Sequence, residues 1–285
     1  MLWPMSELPA SYLPLEGAGP HGGELFESTR LAAAEWYPEG QHGGVVSALI
    51  TRAVERRPSL APMEVARVTV ELFRVVPVAT LEVVVELVRE GKRIQSSEVR
   101  IYAGGTEVAR GLVQRLRVAS LEFPRAFEEP VPAPPEPDGL PPLDFGEVVP
   151  FPDTGAMTFG RGAVEVREAV GTFARPGPAT VWFRFTKPLV AGEEMSPAQR
   201  AVLAADFSNG LSRFADGDQW LFMNSDLSVH LARLPAGEWV ALDSESIWSR
   251  DGRGVATSHL FDRRGPFGRA TQSLFLDVGP AGRTS

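Results

Sequence analysis

Cysteine is absent from all 285 residues. That excludes disulfides, thiolate nucleophiles and zinc–sulfur sites together. Histidine is scarce, with four in the chain, and no two stand at a helical spacing with a carboxylate nearby, so no metal site is expected. No run of about 18 apolar residues occurs, so no transmembrane helix is expected. The opening MLWPMSELPASYLPLEGAG lacks a basic stretch followed by an apolar one, and no signal peptide is expected. Basic residues are outnumbered, 28 Lys and Arg against 36 Asp and Glu, for a net charge of −8. Without a basic stripe, binding to a nucleic-acid backbone is excluded. No G-x-S-x-G elbow is present, which argues against a serine triad. What remains is an ordinary globular composition, 44% apolar and 22% charged, on a chain long enough to bury a large core. The expectation is a cytoplasmic protein without a metal or an organic cofactor.

Prolines are concentrated instead of missing between Pro124 and Pro152, too many for a helix or an interior strand. This reads as a semi-rigid linker, residues 124–152, between units at 1–123 and 153–285. The two units repeat one order of elements. In the first, an extended piece at Glu24 to Ser28 precedes a helix entered at Gly43 and Gly44, with Val46, Leu49, Ile50 and Ala53 as its buried face and Pro58 beyond its end. Strands with period-two alternation follow (Val68, Val70, Leu72, then Leu81, Val83, Val85, Leu87), with turns at Gly91 and Gly104-Gly105. In the second, a hairpin of Ala163 to Glu168 and Thr180 to Phe185 precedes a second helix. Strands near Leu227–Leu231, Trp239–Trp248, Val255–Phe261 and Ala270–Val278 complete it. An antiparallel, hairpin-rich sheet with one helix, made twice at a period of roughly 160 residues, is a duplicated α+β architecture.

The stretch Ser196 to His230 holds the densest chemistry. Ser196 suits an N-cap and Pro197 the first helical position. Leu203, Phe207, Leu211 and Phe214 recur at helical spacing as one apolar stripe. Asp206 lies at the edge of that stripe, where a carboxylate is costly unless polar groups meet it. After a break at Gly217, Asn224, Asp226, Ser228 and His230 alternate along a strand-like run and share one face.

The segments GQHGGVVSALITRAVE, VTVELFRVV, LAADFSNGLSRF, MNSDLSVHL and RATQSLFLDV, in this order and spacing, resemble the acyl-CoA thioesterase II family and its thioesterase-like relatives. The resemblance implies a double hotdog fold, two antiparallel sheets each wrapped around a long helix. It also implies hydrolysis of an acyl-CoA thioester to free acid and coenzyme A, a role in fatty-acid metabolism, with coenzyme A entering only as part of the substrate. That family holds an attacking water with a helix aspartate, a strand threonine or asparagine and a last-strand glutamine. These positions fall on Asp206, Asn224 and Gln272; Asn224 stands where some relatives carry threonine. The first unit has Val113 at the last-strand place, so one site per chain is implied.

Such chemistry needs a water aimed at the carbonyl and donors facing the developing oxyanion. Gly43, Gly44 and Val45, at a helix N-terminus with free N–H groups, are the oxyanion and substrate-binding candidates. His42 beside them reads as a loop or wall residue. Arg184 or Arg213 could meet coenzyme A phosphates. Two alternatives stand beside this reading. One is a hotdog hydratase or dehydratase, prompted by Asp226 and His230, although their gap of four residues on a strand departs from that pattern. The other is a non-catalytic acyl-CoA-binding protein. Exposed sheet edges lead to the expectation of a homo-oligomer.

Overall fold

The computed structural model describes residues 8–122, 132–145, 156–215 and 220–278. Strands β1 (Tyr12–Ala18) and β2 (Glu24–Ser28) form a hairpin ahead of helix α1 (Gly43–Glu55). Four strands follow, β3 (Met63–Leu72), β4 (Thr80–Arg89), β5 (Ile94–Ala103) and β6 (Thr106–Arg117). The second half opens with the short helix α2 (Phe159–Ala163) and the hairpin of β7 (Val164–Val170) and β8 (Ala179–Phe185). Helices α3 (Pro197–Ala205) and α4 (Ser208–Leu211) come next. Strands β9 (Trp220–Asn224), β10 (Asp226–Leu231), β11 (Trp239–Trp248), β12 (Arg253–Asp262) and β13 (Gly265–Val278) complete the chain.

The strands join into a single sheet in the order β1-β2-β4-β5-β6-β3-β10-β13-β12-β11-β8-β7, with β9 beside β13. Taken from its two ends, that order has the same form: a hairpin, then three strands in sequence, then the strand that precedes those three in the chain. The halves meet at β3 and β10, antiparallel, with Val68 opposite Val229 and Val70 opposite Leu227. All four side chains are fully buried, so the seam lies over the core.

Helix α1 packs against α3 and against β3 to β6. The sequence assigned it one buried face, yet every residue from Gly44 to Val54 is buried. Its polar side chains are satisfied locally: Ser47 Oγ donates to Gly43 O at 2.8 Å and Thr51 Oγ1 to Ser47 O at 2.9 Å. Arg52 is paired with Glu24 and Glu193, each at 2.6 Å, as a buried charge requires. Gly44 marks the point where the helices touch. A Cβ there would sit 2.5 Å from Leu203 O, so only glycine admits this approach.

Two further sequence expectations change. The stripe Leu203, Phe207, Leu211, Phe214 is not one helix, because α3 stops at Ala205 and Phe214 lies outside α4, 38% exposed. The side chain of Gln272 occupies the break: its Nε2 donates to Asp206 O at 3.3 Å and its Oε1 accepts from Asn209 N at 3.1 Å. A side chain inserted into the ladder ends it. The run carrying Asn224 and Asp226 is likewise two strands, separated at Ser225, whose O accepts from Leu72 N at 2.9 Å. Gly217 lies outside the described residues.

The described part of the proline-rich stretch is held against the second half rather than free. Trp182 Nε1 donates to Pro135 O at 2.8 Å, Arg167 Nη1 to Pro137 O at 2.8 Å, and Leu143 N to Val166 O at 3.0 Å. Proline leaves its carbonyl as an acceptor, and the Trp182 and Arg167 donors take it. The rest of residues 124–152, at 124–131 and 146–152, lies outside the described residues.

Candidate active site

Asp206 caps the C-terminus of α3 and is buried, 6% exposed. Three donors converge on its carboxylate, and an imidazole nitrogen lies beside it. Gly44 N reaches Oδ2 at 2.6 Å and Asn224 Nδ2 reaches Oδ1 at 2.8 Å. Gln272 Nε2 lies 3.2 Å from Oδ1, and His42 Nδ1 lies 3.1 Å from Oδ2. The structure therefore brings together Asp206, Asn224 and Gln272, which are 18 and 66 residues apart along the chain from Asp206. A buried carboxylate demands such company, since an uncompensated one is strongly disfavoured.

The three do not face the same space. Asp206 and Asn224 line a cavity of about 350 Å³ between the halves, whose apolar walls include Leu72, Val76, Phe145, Phe173, Phe207 and Phe222. Gln272 does not line it and is fully buried behind Asp206. Both hydrogens of its amide nitrogen point at Asp206 and its oxygen takes Asn209 N. Gln272 therefore contacts Asp206 and not the cavity. Asn224 Nδ2 donates to Asp206 and to Asp226 O at 3.2 Å, leaving its Oδ1 as an acceptor at the cavity.

Of the three candidate oxyanion amides, two are engaged. Gly44 N serves Asp206, and Val45 N bonds His42 O at 3.0 Å. Gly43 N, the first of the helix, makes no hydrogen bond among the described residues, and Gly43 lines the cavity. It alone of the set can receive a substrate oxygen. A Cβ on Gly43 would lie 2.9 Å from Asp206 Oδ2, so a side chain there would press on the carboxylate.

His42, read from the sequence as a loop or wall residue, lines the cavity. It precedes α1, and its ring is held between Phe207 at 4.5 Å and Phe159 at 5.3 Å between centroids. The preceding loop is fixed by Gln41, which accepts from the Tyr12 phenol at 2.6 Å and donates to Pro77 O at 2.7 Å. Burial pushes the Tyr12 phenol far up, keeping it a neutral donor. The signal available in the sequence was adjacency to the paired glycines. The 162-residue link from Gly44 to Asp206 was not legible there.

The remaining sequence candidates fall elsewhere. Asp226 Oδ1 accepts from Ser273 N at 2.7 Å, His230 is exposed, and neither lines the cavity, so the pair that prompted the hydratase reading forms no site. Arg213 is buried, with Nη2 donating to Ala174 O at 2.9 Å. Arg184 is committed to Glu165. Neither is available for a phosphate. Arg74 lines the cavity, is exposed and makes no ion pair among the described residues. No cluster of three or more His, Asp or Glu side chains suited to a metal occurs among the described residues, and no helix among them is long and apolar enough to cross a membrane.

This arrangement, a large antiparallel sheet with few helices and a carboxylate cluster at a cavity, has close structural parallels. A proposed thioesterase II from Thermobifida fusca superposes with a TM-score of 0.71 at 15% identity, covering 95% of this chain and 96% of the other. A hotdog-fold protein of unknown function from Alicyclobacillus acidocaldarius gives 0.69 at 14%, covering 92% and 96%. An acyl-CoA thioesterase II from Mycobacterium marinum gives 0.62 at 16%, covering 92% and 94%. At these identities the likeness defines the fold class, hotdog. No protein of curated function matches the sequence significantly. The family is defined by sequence models: the acyl-CoA thioesterase C-terminal domain matches residues 128–276 and the N-terminal domain residues 32–116. The chain belongs to the acyl-CoA thioesterase family.

Proposed function

We propose that the protein is a double hotdog acyl-CoA thioesterase that hydrolyses an acyl-CoA to the free acid and coenzyme A at one site per chain. The observation that carries this reading is the convergence of Asn224, Gln272 and the α1 N-terminus on Asp206, which lines an apolar cavity, in a member of this family. The acyl group enters the apolar walls, and its carbonyl oxygen meets Gly43 N–H. A helix N-terminus favours the negative charge that develops there. The attacking water sits against Asn224 Oδ1, and Gln272 acts by fixing Asp206. Arg74 at the cavity lining meets the phosphates of coenzyme A. No metal or organic cofactor enters the scheme. A homo-oligomer and a cytoplasmic location belong to the same reading.

Thiol release measured over a panel of acyl-CoA substrates tests it, with hydration of an enoyl-CoA assayed in parallel. Release of thiol with saturation kinetics is expected. Hydration without thiol release, or acyl-CoA binding with no turnover, would each sink the proposal.

A further inference from the structure

The lining of the cavity divides by exposure. Trp36, Phe73 and Phe275 are exposed and mark the end that meets solvent. Phe145, Phe173 and Phe207 are buried and form an inner wall. The phosphates of coenzyme A stay in water, so the acyl group is the part of the substrate that reaches this wall. Phe207 directly follows Asp206 in the chain, and the wall therefore begins beside the carboxylate.

That wall is aromatic and closely backed. Phe145 stands edge-on to Phe173 at 5.5 Å and to Phe207 at 5.7 Å between centroids, with interplanar angles of 62° and 71°. Phe207 is stacked on Phe183 at 4.6 Å, and a Cβ on Gly160 would come within 2.2 Å of the Phe145 ring. Backing this close holds the rings in place. Benzene fills an apolar cavity of about 150 Å³, so the 350 Å³ here takes about two rings' worth of atoms. The thioester and the first atoms of the pantetheine arm occupy part of that space. One ring on a short link remains for the acyl group.

We propose that the substrate is an aryl- or arylalkanoyl-CoA, with an aromatic ring joined to the thioester carbonyl directly or through a short link. The assignment rests on the thioesterase reading above. Aliphatic and aromatic groups both gain from leaving water, but an aromatic ring gains further from edge-to-face or offset contact with each wall ring. That addition amounts to about 2- to 10-fold in binding for each ring pair. Phe145 touches both of the other rings and is the specificity-determining residue of the wall.

Phenylacetyl-CoA and cyclohexylacetyl-CoA match in carbon count and nearly in shape, and the cyclohexyl group is the more apolar. Dividing kcat/KM for each by its rate of alkaline hydrolysis removes differences in carbonyl reactivity and isolates the aromatic contribution. Phenylacetyl-CoA should exceed cyclohexylacetyl-CoA by about 2- to 10-fold, and palmitoyl-CoA should fall below both. Phe145→Leu keeps the wall apolar and should bring the ratio down to about one. A wild-type ratio of one or less, or faster hydrolysis of palmitoyl-CoA than of both, overturns the assignment whether or not any variant folds. A folded Phe145→Leu protein that keeps the wild-type ratio overturns the role of Phe145. Absence of thiol release from every acyl-CoA counts instead against the thioesterase reading itself.

Discussion

The carboxylate of Glu55, the last residue of α1, lies 2.8 Å from Ser196 Oγ, the N-cap of α3. Asp206, at the other end of α3, returns the contact by taking the N–H of Gly44 near the start of α1. Each helix is thus tied at its N-terminus by a carboxylate from the C-terminal end of the other, which suits the partial positive charge of each N-terminus. The two ties differ in surroundings: Asp206 faces a cavity, whereas Glu55 is closed in by Ser196 and Gln199.

Glu55 should make stability depend on pH in a direction of its own. Burial pushes its carboxyl above the ordinary value of 4.5, and the hydrogen bonds from Gln199 and Ser196 only partly oppose this. The folded state then binds the proton more tightly than the unfolded one. Ionisation costs stability as pH rises from about 4.5 through the raised folded value, and protonation returns it as pH falls. Glu55→Gln removes this titration. The melting temperature of wild type relative to Glu55→Gln should therefore increase as pH is lowered from 8 toward 5. A difference that stays flat across that range would show that Glu55 is not perturbed.

Asp206→Asn should impair folding and turnover together. The amide replaces one acceptor oxygen with a donor, which must face either Gly44 N or the pair Asn224 and Gln272. Opposed donors in a buried site cost about 1–3 kcal/mol. The loss of orientation should lower kcat by about two to four orders of magnitude. Gln272→Ala, acting through the same carboxylate, should combine with it sub-additively. Melting temperature and thiol release on one preparation check this; a stable, active Asp206→Asn protein would refute it.

Gly43→Ala tests the oxyanion amide. The added methyl meets the Asp206 carboxylate at 2.9–3.0 Å, so the carboxylate or the helix start must shift. Removing an oxyanion donor costs about two to three orders of magnitude, and a displaced one should cost at least tenfold in kcat with little change in KM. Equal kcat in steady-state assays would remove Gly43 from the site.

Phe173→Ala should change which acyl groups are accepted. Phe173 is buried, lines the cavity and packs edge-on against Phe145 at 5.5 Å. Its removal costs about 3 kcal/mol of stability and lengthens the apolar space. Because each methylene is worth about 10- to 200-fold in discrimination, kcat/KM should move toward longer acyl chains by tenfold or more. An unchanged profile across a chain-length series would place the acyl group elsewhere.

The sequence by itself determined the element order, because its signals are local. Glycine pairs, proline positions and alternation fix where the helices and strands of each half begin, and the turns at Gly91 and Gly104-Gly105 fall between strands as expected. The residues Asp206, Asn224 and Gln272 were legible through their resemblance to a known family. Their division of labour was not. Whether an amide meets water or a carboxylate depends on which strand lies over which helix end, and Gln272 reaches Asp206 only because β13 passes behind α3 and breaks it from α4. The helix stripe through Phe214 failed for the same reason, since periodicity cannot register a side chain arriving from a distant strand. The place of His42 beside Asp206 was not legible either, because Asp206 stands on the other half of the chain. Only the close approach that Gly44 permits between α1 and α3 brings the imidazole, the free amide of Gly43 and the carboxylate into one cavity.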